Sequence, residues 1–228
     1  PGYTGRVSVD RTTGSLELRE LTLRDTGVYE VNLIPDGGQP VSGKSTLNVY
    51  EKISDANITG PTEVLIAGNS SANLSCQATA GTIVSREWLK DDQTLSPSNR
   101  IIFSGDKSSV SIDPVEGTDN GQYQCILTNP VSRGIASYNL TVNYGPENVV
   151  IDGDIEVDVG DTVVLICSAS SVPPPAFTWS FNGAESSVTT AEYTVGNAMD
   201  GDSGNYSCVA ENALTGLKKS SAVHVLTV

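Results

Sequence analysis

The chain has 228 residues, a length typical of one or two domains. Its composition, 38% hydrophobic and 18% charged, is that of a globular protein. Lys and Arg number 13 against 27 Asp and Glu, so the formal net charge is −14. An acidic surface repels phosphate backbones and anionic headgroups, which argues against nucleic-acid and membrane-surface binding. A single histidine, His224, excludes His-based catalytic triads and multi-histidine metal sites. The sequence contains no run of 18 apolar residues, so no transmembrane helix is predicted.

Residues 1–50 consist of short alternating apolar and polar runs, which predict strands. Clusters of Gly, Pro, Asn, Asp and Ser separate the runs and predict turns. The expected strands are residues 5–9, 15–18, 28–34 and 45–50. The same texture continues through the rest of the chain, and no stretch shows the sustained apolar spacing of a helix. The fold class is therefore predicted as all-β.

The pattern Asp-x-Gly-x-Tyr occurs three times along the chain. Its copies begin at Asp25, Asp119 and Asp202. The corresponding tyrosines, which lie 94 and 83 residues apart, are Tyr29, Tyr123 and Tyr206. These intervals are close to the length of one β-sandwich domain, so the chain is predicted to contain three related units.

The second and third units carry a matching set of cysteines and a tryptophan. In each unit a Trp follows the first Cys by twelve residues, and the motif Tyr precedes the second Cys by two. The residues are Cys76, Trp88 and Cys125 in the second unit and Cys167, Trp179 and Cys208 in the third. Four cysteines alone allow three disulfide pairings.

This arrangement resembles strands B, C and F of immunoglobulin domains. There, a disulfide joins the two sheets beside a buried Trp, and the Tyr hydroxyl bonds back to the backbone at the corner between strands E and F. The resemblance implies the pairs Cys76–Cys125 and Cys167–Cys208, each worth about 4 kcal/mol in the chain-entropy model. We therefore predict tandem immunoglobulin-like β-sandwiches of constant or I type over residues 51–144 and 145–228.

Residues 1–50 depart from that pattern because Val31 stands where the second Cys is expected and no Trp is present. The segment is expected to form strands D to G of a variable-type domain without a disulfide. Half a sandwich buries too little core to be stable alone, so the chain is expected to start mid-domain. A salt bridge between Arg6 and Asp25 is expected at the E–F corner. Arg100 and Asp119 are expected to repeat it in the second unit, whereas the third offers no equivalent Arg.

Structural disulfides persist outside the cytosol, so the chain is expected on the extracellular side of the plasma membrane or secreted. Five Asn-x-Ser/Thr sequons favour a glycoprotein. Strand alternation places two of them, at Asn73 and Asn205, on outward positions. The sequon asparagines are Asn57, Asn69, Asn73, Asn139 and Asn205.

The whole chain resembles the carcinoembryonic antigen-related cell adhesion molecules, which have an N-terminal variable-type domain without a disulfide followed by domains that contain one. The first unit carries this resemblance through Val31 in place of Cys. Further matching motifs start at Asn129 (Asn-Pro-Val-Ser), Tyr144 (Tyr-Gly-Pro), Pro174 (Pro-Pro-Ala) and Thr215 (Thr-Gly-Leu).

The resemblance implies adhesion, often homophilic, through one face of the first domain. With Tyr29, Val31 and Leu33 inward, the outward residues of strand F are Glu30, Asn32 and Ile34. An outward Ile among polar neighbours is either a contact anchor or an ordinary exposed apolar residue. The expected partners are proteins on an opposing or the same cell surface, including the chain itself.

Four further interpretations follow from the sequence. Carboxylates are abundant, but no cleft or perturbing environment is indicated, so no enzyme, metal, cofactor or small-molecule substrate is predicted. The ectodomain of a signalling receptor is an alternative function. An intracellular structural array of immunoglobulin domains is a third, against which the cysteine pairs and sequons argue. In the third unit Val164 and Ile166 alternate with inward residues, which leaves an outer apolar contact patch as an open alternative.

Overall fold

The computed structural model describes residues 2–34 and 37–228 and consists of strands and three short 3₁₀ turns. The turns are Leu23–Asp25, Gly117–Asp119 and Asp200–Asp202. Each turn therefore ends on the Asp that opens a copy of the repeated motif. The all-β prediction is confirmed.

The first unit contains two separate two-stranded antiparallel sheets, β1 with β2 and β3 with β4. The strands are β1 (Val7–Val9), β2 (Leu16–Leu18), β3 (Gly27–Leu33) and β4 (Val41–Leu47). Within the described ranges neither sheet has a third strand.

The predicted last strand of this unit, 45–50, is wrong in position. The register with β3 pairs Leu33 with Val41 and Gly27 with Leu47. The observed strand, Val41–Leu47, therefore begins four residues and ends three residues before the predicted one. The backbone of Val49 instead exchanges hydrogen bonds with the Thr26 hydroxyl, at 2.9 Å from its N–H and 3.4 Å to its carbonyl. Hairpin pairing, a contact between strands, therefore overrides the local pattern.

The second unit is a sandwich of two four-stranded sheets, ordered β10-β11-β7-β5 and β13-β12-β8-β9. The first sheet holds β5 (Asn57–Thr59), β7 (Ala72–Gln77), β10 (Ile101–Phe103) and β11 (Ser109–Ile112). The second holds β8 (Ser85–Lys90), β9 (Gln93–Thr94), β12 (Gly121–Asn129) and β13 (Ser132–Leu140). A short strand, β6 (Leu65–Ile66), lies between β5 and β7 in the chain.

One long strand, β14 (Val142–Asp152), connects the second unit to the third. Its first residues pair in parallel with β6, where Val142 lies opposite Leu65. Its later residues pair antiparallel with the third unit, where Val150 lies opposite Ser168. No separate loop therefore stands between these two units.

The third unit repeats the sandwich, with β14 next to β15 in its first sheet. That sheet is ordered β18-β15-β14-β6, and the other contains β17-β16-β19-β20 with β21 also paired to β19. The strands are β15 (Val163–Val172), β16 (Ala176–Phe181), β17 (Ala184–Glu185), β18 (Glu192–Val195), β19 (Gly204–Asn212), β20 (Leu217–Ser220) and β21 (His224–Leu226).

Each sandwich has its own hydrophobic core. The core of the second unit surrounds Trp88 and includes Leu74, Val110, Ile112 and Leu127, all fully buried. That of the third surrounds Trp179 and includes Val163, Leu165, Ala198 and Leu226. Among the described residues of the first unit, Asp25 alone is fully buried.

Candidate interaction surface

The predicted contact residues lie along the hairpin formed by β3 and β4. Glu30 pairs in register with Lys44, and its carboxylate lies 3.5 Å from the Lys44 ammonium. Asn32, two residues further along β3, pairs with Ser42. Ile34 directly follows the last residue of β3 and is 79% exposed. At the turn end of the hairpin, a highly exposed aliphatic side chain therefore lies beside polar and charge-paired neighbours, and Val28 further along β3 is 65% exposed.

The sequence pattern directs Val31 and Leu33 inward, but neither residue is buried. They are 51% and 57% exposed, although Tyr29 on the same side is half-buried. An open trough of about 680 Å³ lies between the two small sheets. Tyr29 and Val31 of β3 line it on one side, and Leu16 and Leu18 of β2 line it on the other. Alternation correctly predicts the direction of a side chain, but burial requires a second layer of structure to cover it.

The E–F corner of the first unit is held by Asp25. Its two carboxylate oxygens accept hydrogen bonds of 2.9 Å from the two terminal nitrogens of Arg6, and one also accepts the Thr22 backbone N–H at 2.7 Å. The Arg6 hydrogen bond, followed by that of Thr22, holds the pKa of Asp25 well below its usual range. The Tyr29 hydroxyl donates to the Asp25 carbonyl at 2.8 Å.

The second unit repeats this corner and the third repeats it without the arginine. Arg100 contacts both oxygens of the Asp119 carboxylate, at 2.8 and 3.3 Å, and the Tyr123 hydroxyl donates to the Asp119 carbonyl at 3.0 Å. In the third unit the Tyr206 hydroxyl donates to the Asp202 carbonyl at 2.9 Å. Burial raises the pKa of Tyr206 to about 12, so the hydroxyl stays a donor at physiological pH.

The glycine of the repeated motif has a structural reason in the two complete sandwiches. A Cβ on Gly121 would lie 2.6 Å from both carboxylate oxygens of Asp91, of which Oδ1 accepts the backbone N–H of Gln122. A Cβ on Gly204 would lie 2.6 Å from the side-chain oxygen of Asn182. In the first unit a Cβ on Gly27 would meet open space.

The side chain that follows the motif Asp hydrogen-bonds to the backbone near the end of its unit. The sequence interpretation did not predict this role. Asn120 accepts the N–H of Val142 and donates to its carbonyl, both at 2.8 Å. Thr26 bonds to Val49 in the same way, and Ser203 accepts the N–H of Val228 at 2.9 Å. Each is a polar side chain at the same motif position, a signal that the sequence does contain.

The cysteines and tryptophans form two similar clusters. The structure joins Cys76 to Cys125 and Cys167 to Cys208, with Cα atoms 6.4 Å apart in both pairs. Trp88 donates its indole N–H to the Lys107 carbonyl at 2.8 Å. Trp179 donates to the Thr190 carbonyl at 2.9 Å.

Buried asparagines at the last positions of β12 and β19 hold the segment that enters each sandwich. The Asn129 amide donates to the carbonyls of Glu51 and Thr82, at 2.7 and 2.8 Å. The Asn212 amide donates to the carbonyls of Tyr144 and Val172, both at 3.0 Å. The sequence indicates Asn129 only as part of a motif, and it predicts the role of neither asparagine, because their hydrogen-bond partners lie 40 to 78 residues away.

All five sequon asparagines are exposed. Asn57 and Asn73 lie on β5 and β7 of one sheet of the second unit, and Asn139 lies on β13 of the other. Asn205 lies on β19 of the third unit, and Asn69 lies in the turn before β7.

Two features are absent from residues 2–34 and 37–228. These ranges contain no group of three or more His, Cys, Asp or Glu side chains arranged to hold a metal ion. They also contain no helix of sufficient length and apolar character to cross a membrane.

The fold and its clusters define the class of the protein. A family model described as an immunoglobulin I-set domain matches residues 57–142, and one described as an immunoglobulin domain matches residues 146–212. The structure of the mouse nectin-like molecule 4 ectodomain is similar in fold, with a TM-score of 0.61 at 20% identity, covering 98% of this chain and 81% of that one. The chain belongs to the immunoglobulin superfamily.

Within that superfamily, the resemblance to the carcinoembryonic antigen-related cell adhesion molecules is confirmed. Cell adhesion molecule CEACAM16 of mouse and of rat is 29% identical to the chain over 234 aligned positions, which cover 99% of the chain. The match covers 54% and 55% of those proteins, so the chain spans about half the length of the curated relatives it matches. The murine CEACAM1b crystal structure is 27% identical with a TM-score of 0.53, covering 62% of this chain and 70% of that one.

Proposed function

We propose that the chain is part of the extracellular region of a cell-adhesion or cell-recognition glycoprotein, and that it binds proteins on an opposing or the same cell surface. The similarity to CEACAM16 across all three units supports this proposal. The cysteine pairing supports it as well, because all four cysteines of the chain are in disulfides, which persist outside the cytosol. Five exposed sequon asparagines are compatible with N-glycosylation.

The proposed contact surface is the outward side of the β3–β4 hairpin, with Glu30, Asn32 and Ile34 as its contact residues. The exposure of Ile34, at 79%, is the observation that carries this assignment. An aliphatic anchor bordered by a charged pair and an amide has the anatomy of a protein contact, with an apolar centre and a polar rim. None of the five sequons lies in residues 1–50, so no N-linked glycan would originate on this hairpin.

We also propose that residues 1–50 are strands D to G of a variable-type domain, followed by domains at 51–144 and 145–228. The trough between the sheets of the first unit supports this, because its aliphatic walls are exposed. In the second unit β11 pairs with β7, and β12 pairs with β8. The corresponding edges of β2 and β3 are unpaired within the described ranges, and strands B and C would occupy them.

The contact surface is tested by replacing its aliphatic anchor. Beads coated with the glycosylated chain are mixed with one another and layered on cultured cells, since weak contacts gain from multivalency. The variant Ile34→Asp is expected to lose at least tenfold in adhesion. Val131→Asp is the matched control, because Val131 is an exposed aliphatic residue in the equivalent turn of the second unit, and it is expected to adhere normally.

Equal adhesion of Ile34→Asp and the unmodified chain would refute the assigned surface. Unmodified beads that neither aggregate nor adhere to cells would contradict the adhesion function itself. Adhesion to cells without self-aggregation would identify heterophilic recognition.

A further inference from the structure

The outer face of the first sheet of the third unit carries three neighbouring aliphatic residues. Val150, Val164 and Ile166 are 52%, 38% and 47% exposed, whereas the alternating residues of β15 form the core. Register places them together: Ile166 lies opposite Asp152 on β14, and Val150 lies two residues before Asp152. We call this surface the third-unit outer face; its residues are Val150, Asp152, Val164, Ile166, Ser168, Glu192 and Thr194.

The equivalent face of the second unit is polar at the same positions. Asn73 and Ser75 lie three and one residues before Cys76, as Val164 and Ile166 lie before Cys167. A sequon in the second unit is therefore replaced by two aliphatic residues in the third.

A second sequon on that face is replaced in the same way. Asn57 lies opposite Gln77, the residue after Cys76, and Val150 lies opposite Ser168, the residue after Cys167. All three aliphatic residues of the third-unit outer face thus occupy positions that belong to sequons in the second unit. The sequon of the third unit, at Asn205, lies on β19 in the opposite sheet.

This exchange changes what each face can bind. Glycans attached at Asn57 and Asn73 would keep proteins away from the second-unit face, because they are bulky and hydrated. The third-unit outer face carries no sequon and presents adjacent aliphatic groups to water, a combination that favours burial against another protein.

The charges around the aliphatic residues identify the kind of partner. Asp152 and Glu192 lie on either side of Ile166, both exposed. Residues 145–228 contain 11 Asp and Glu but two Lys, and both lysines are on β20 in the other sheet. Pairing this face with a second copy of itself would bring like charges together, which disfavours self-association.

We propose that the third-unit outer face docks a partner protein whose surface has an aliphatic centre bordered by Lys or Arg. This contact is separate from the β3–β4 hairpin of the first unit, so either proposal can fail without the other. It adds a lateral contact to a molecule whose proposed adhesive surface lies in a different unit.

The probe for this contact is a fluorescent β-forming peptide of alternating Leu and Lys, with a Leu/Glu peptide of equal length as its charge control. Binding to the complete glycosylated chain is followed by fluorescence anisotropy. The variant Val164→Asn/Ile166→Ser installs the Asn-Leu-Ser sequon of residues 73–75 on the third-unit outer face. We expect it to weaken binding of the Leu/Lys peptide at least tenfold, and Asp152→Asn/Glu192→Gln to weaken it about threefold.

A matched control is Ile135→Asn, which also creates a sequon from an exposed aliphatic residue, on β13 of the second unit. It is expected to bind the Leu/Lys peptide normally. Unchanged binding by Val164→Asn/Ile166→Ser overturns the proposal, since the acidic surface alone would then explain the interaction. Concentration-dependent dimerisation in sedimentation velocity that this variant abolishes would also overturn it, by showing that a second copy occupies the face.

Discussion

The first unit and the second unit share the same E–F corner but differ in what lies behind it. In both, an Arg 19 residues upstream binds the Asp carboxylate, and the Tyr hydroxyl binds the Asp carbonyl four residues back. The second unit has a disulfide and a buried Trp behind its corner, whereas the first has Val31 and an open trough. The corner is therefore built from local contacts and does not require the disulfide-bonded core.

The largest effect is expected from removing the second-unit disulfide, which has no counterpart in the first unit and a matching pair in the third. Cys76→Ala/Cys125→Ala frees a loop of 49 residues, which costs about 4 kcal/mol in the free energy of unfolding by the chain-entropy model. Labelling with 5-fluorotryptophan gives one ¹⁹F NMR signal in each sandwich, from Trp88 and Trp179. The Trp88 signal is expected to report unfolding at lower denaturant concentration.

The control is Cys167→Ala/Cys208→Ala, which frees 41 residues and should shift the Trp179 signal by nearly the same amount. If each double variant shifts both signals equally, the two sandwiches unfold as one unit. That result would contradict their separate cores.

An intermediate effect is expected at the motif glycine. Gly121 has a φ of 145°, and its Cβ would approach Asp91, so Gly121→Ala is expected to cost about 1–3 kcal/mol. Gly27→Ala has open space and is expected to change stability by less than about 1 kcal/mol. Hydrogen-exchange mass spectrometry of peptides from β3 and β12 compares both variants. Equal loss of protection in the two strands would show that Gly27 is as constrained as Gly121.

Local patterns predicted the corners and the core clusters, while non-local contacts decided the rest. The corners and core clusters can be predicted from the Asp-x-Gly-x-Tyr motif and the Cys–Trp interval, because these spacings follow strand length and turn geometry. The exposure of Val31 cannot be predicted from its own strand, because burial depends on whether a second layer of strands covers the residue. The position of β4 follows from pairing with β3, and the role of Asn212 follows from a carbonyl 68 residues away.

The alternation of apolar residues indicates an outer apolar patch in the third unit but does not show which residues of the second unit it replaces. Val164 and Ile166 are readable as outward residues from their own strand. That they replace Asn73 and Ser75 becomes visible once both strands are placed relative to their disulfides. The meaning of an exposed aliphatic residue therefore depends on its register in the sheet, which pairing fixes.

The smallest effect concerns the charge of the first corner and depends on pH. Because the folded-state pKa of Asp25 is lowered, its carboxylate stabilises the folded chain above the ordinary Asp pKa of about 3.9, and this stabilisation is lost as pH falls through the lower folded value. A ¹³C carboxyl NMR titration is expected to show Asp25 ionised well below that ordinary pKa. Arg6→Gln should raise the midpoint, while Arg11→Gln, at an exposed turn, should not. An unchanged midpoint in Arg6→Gln would mean that the Thr22 N–H alone keeps the carboxylate ionised.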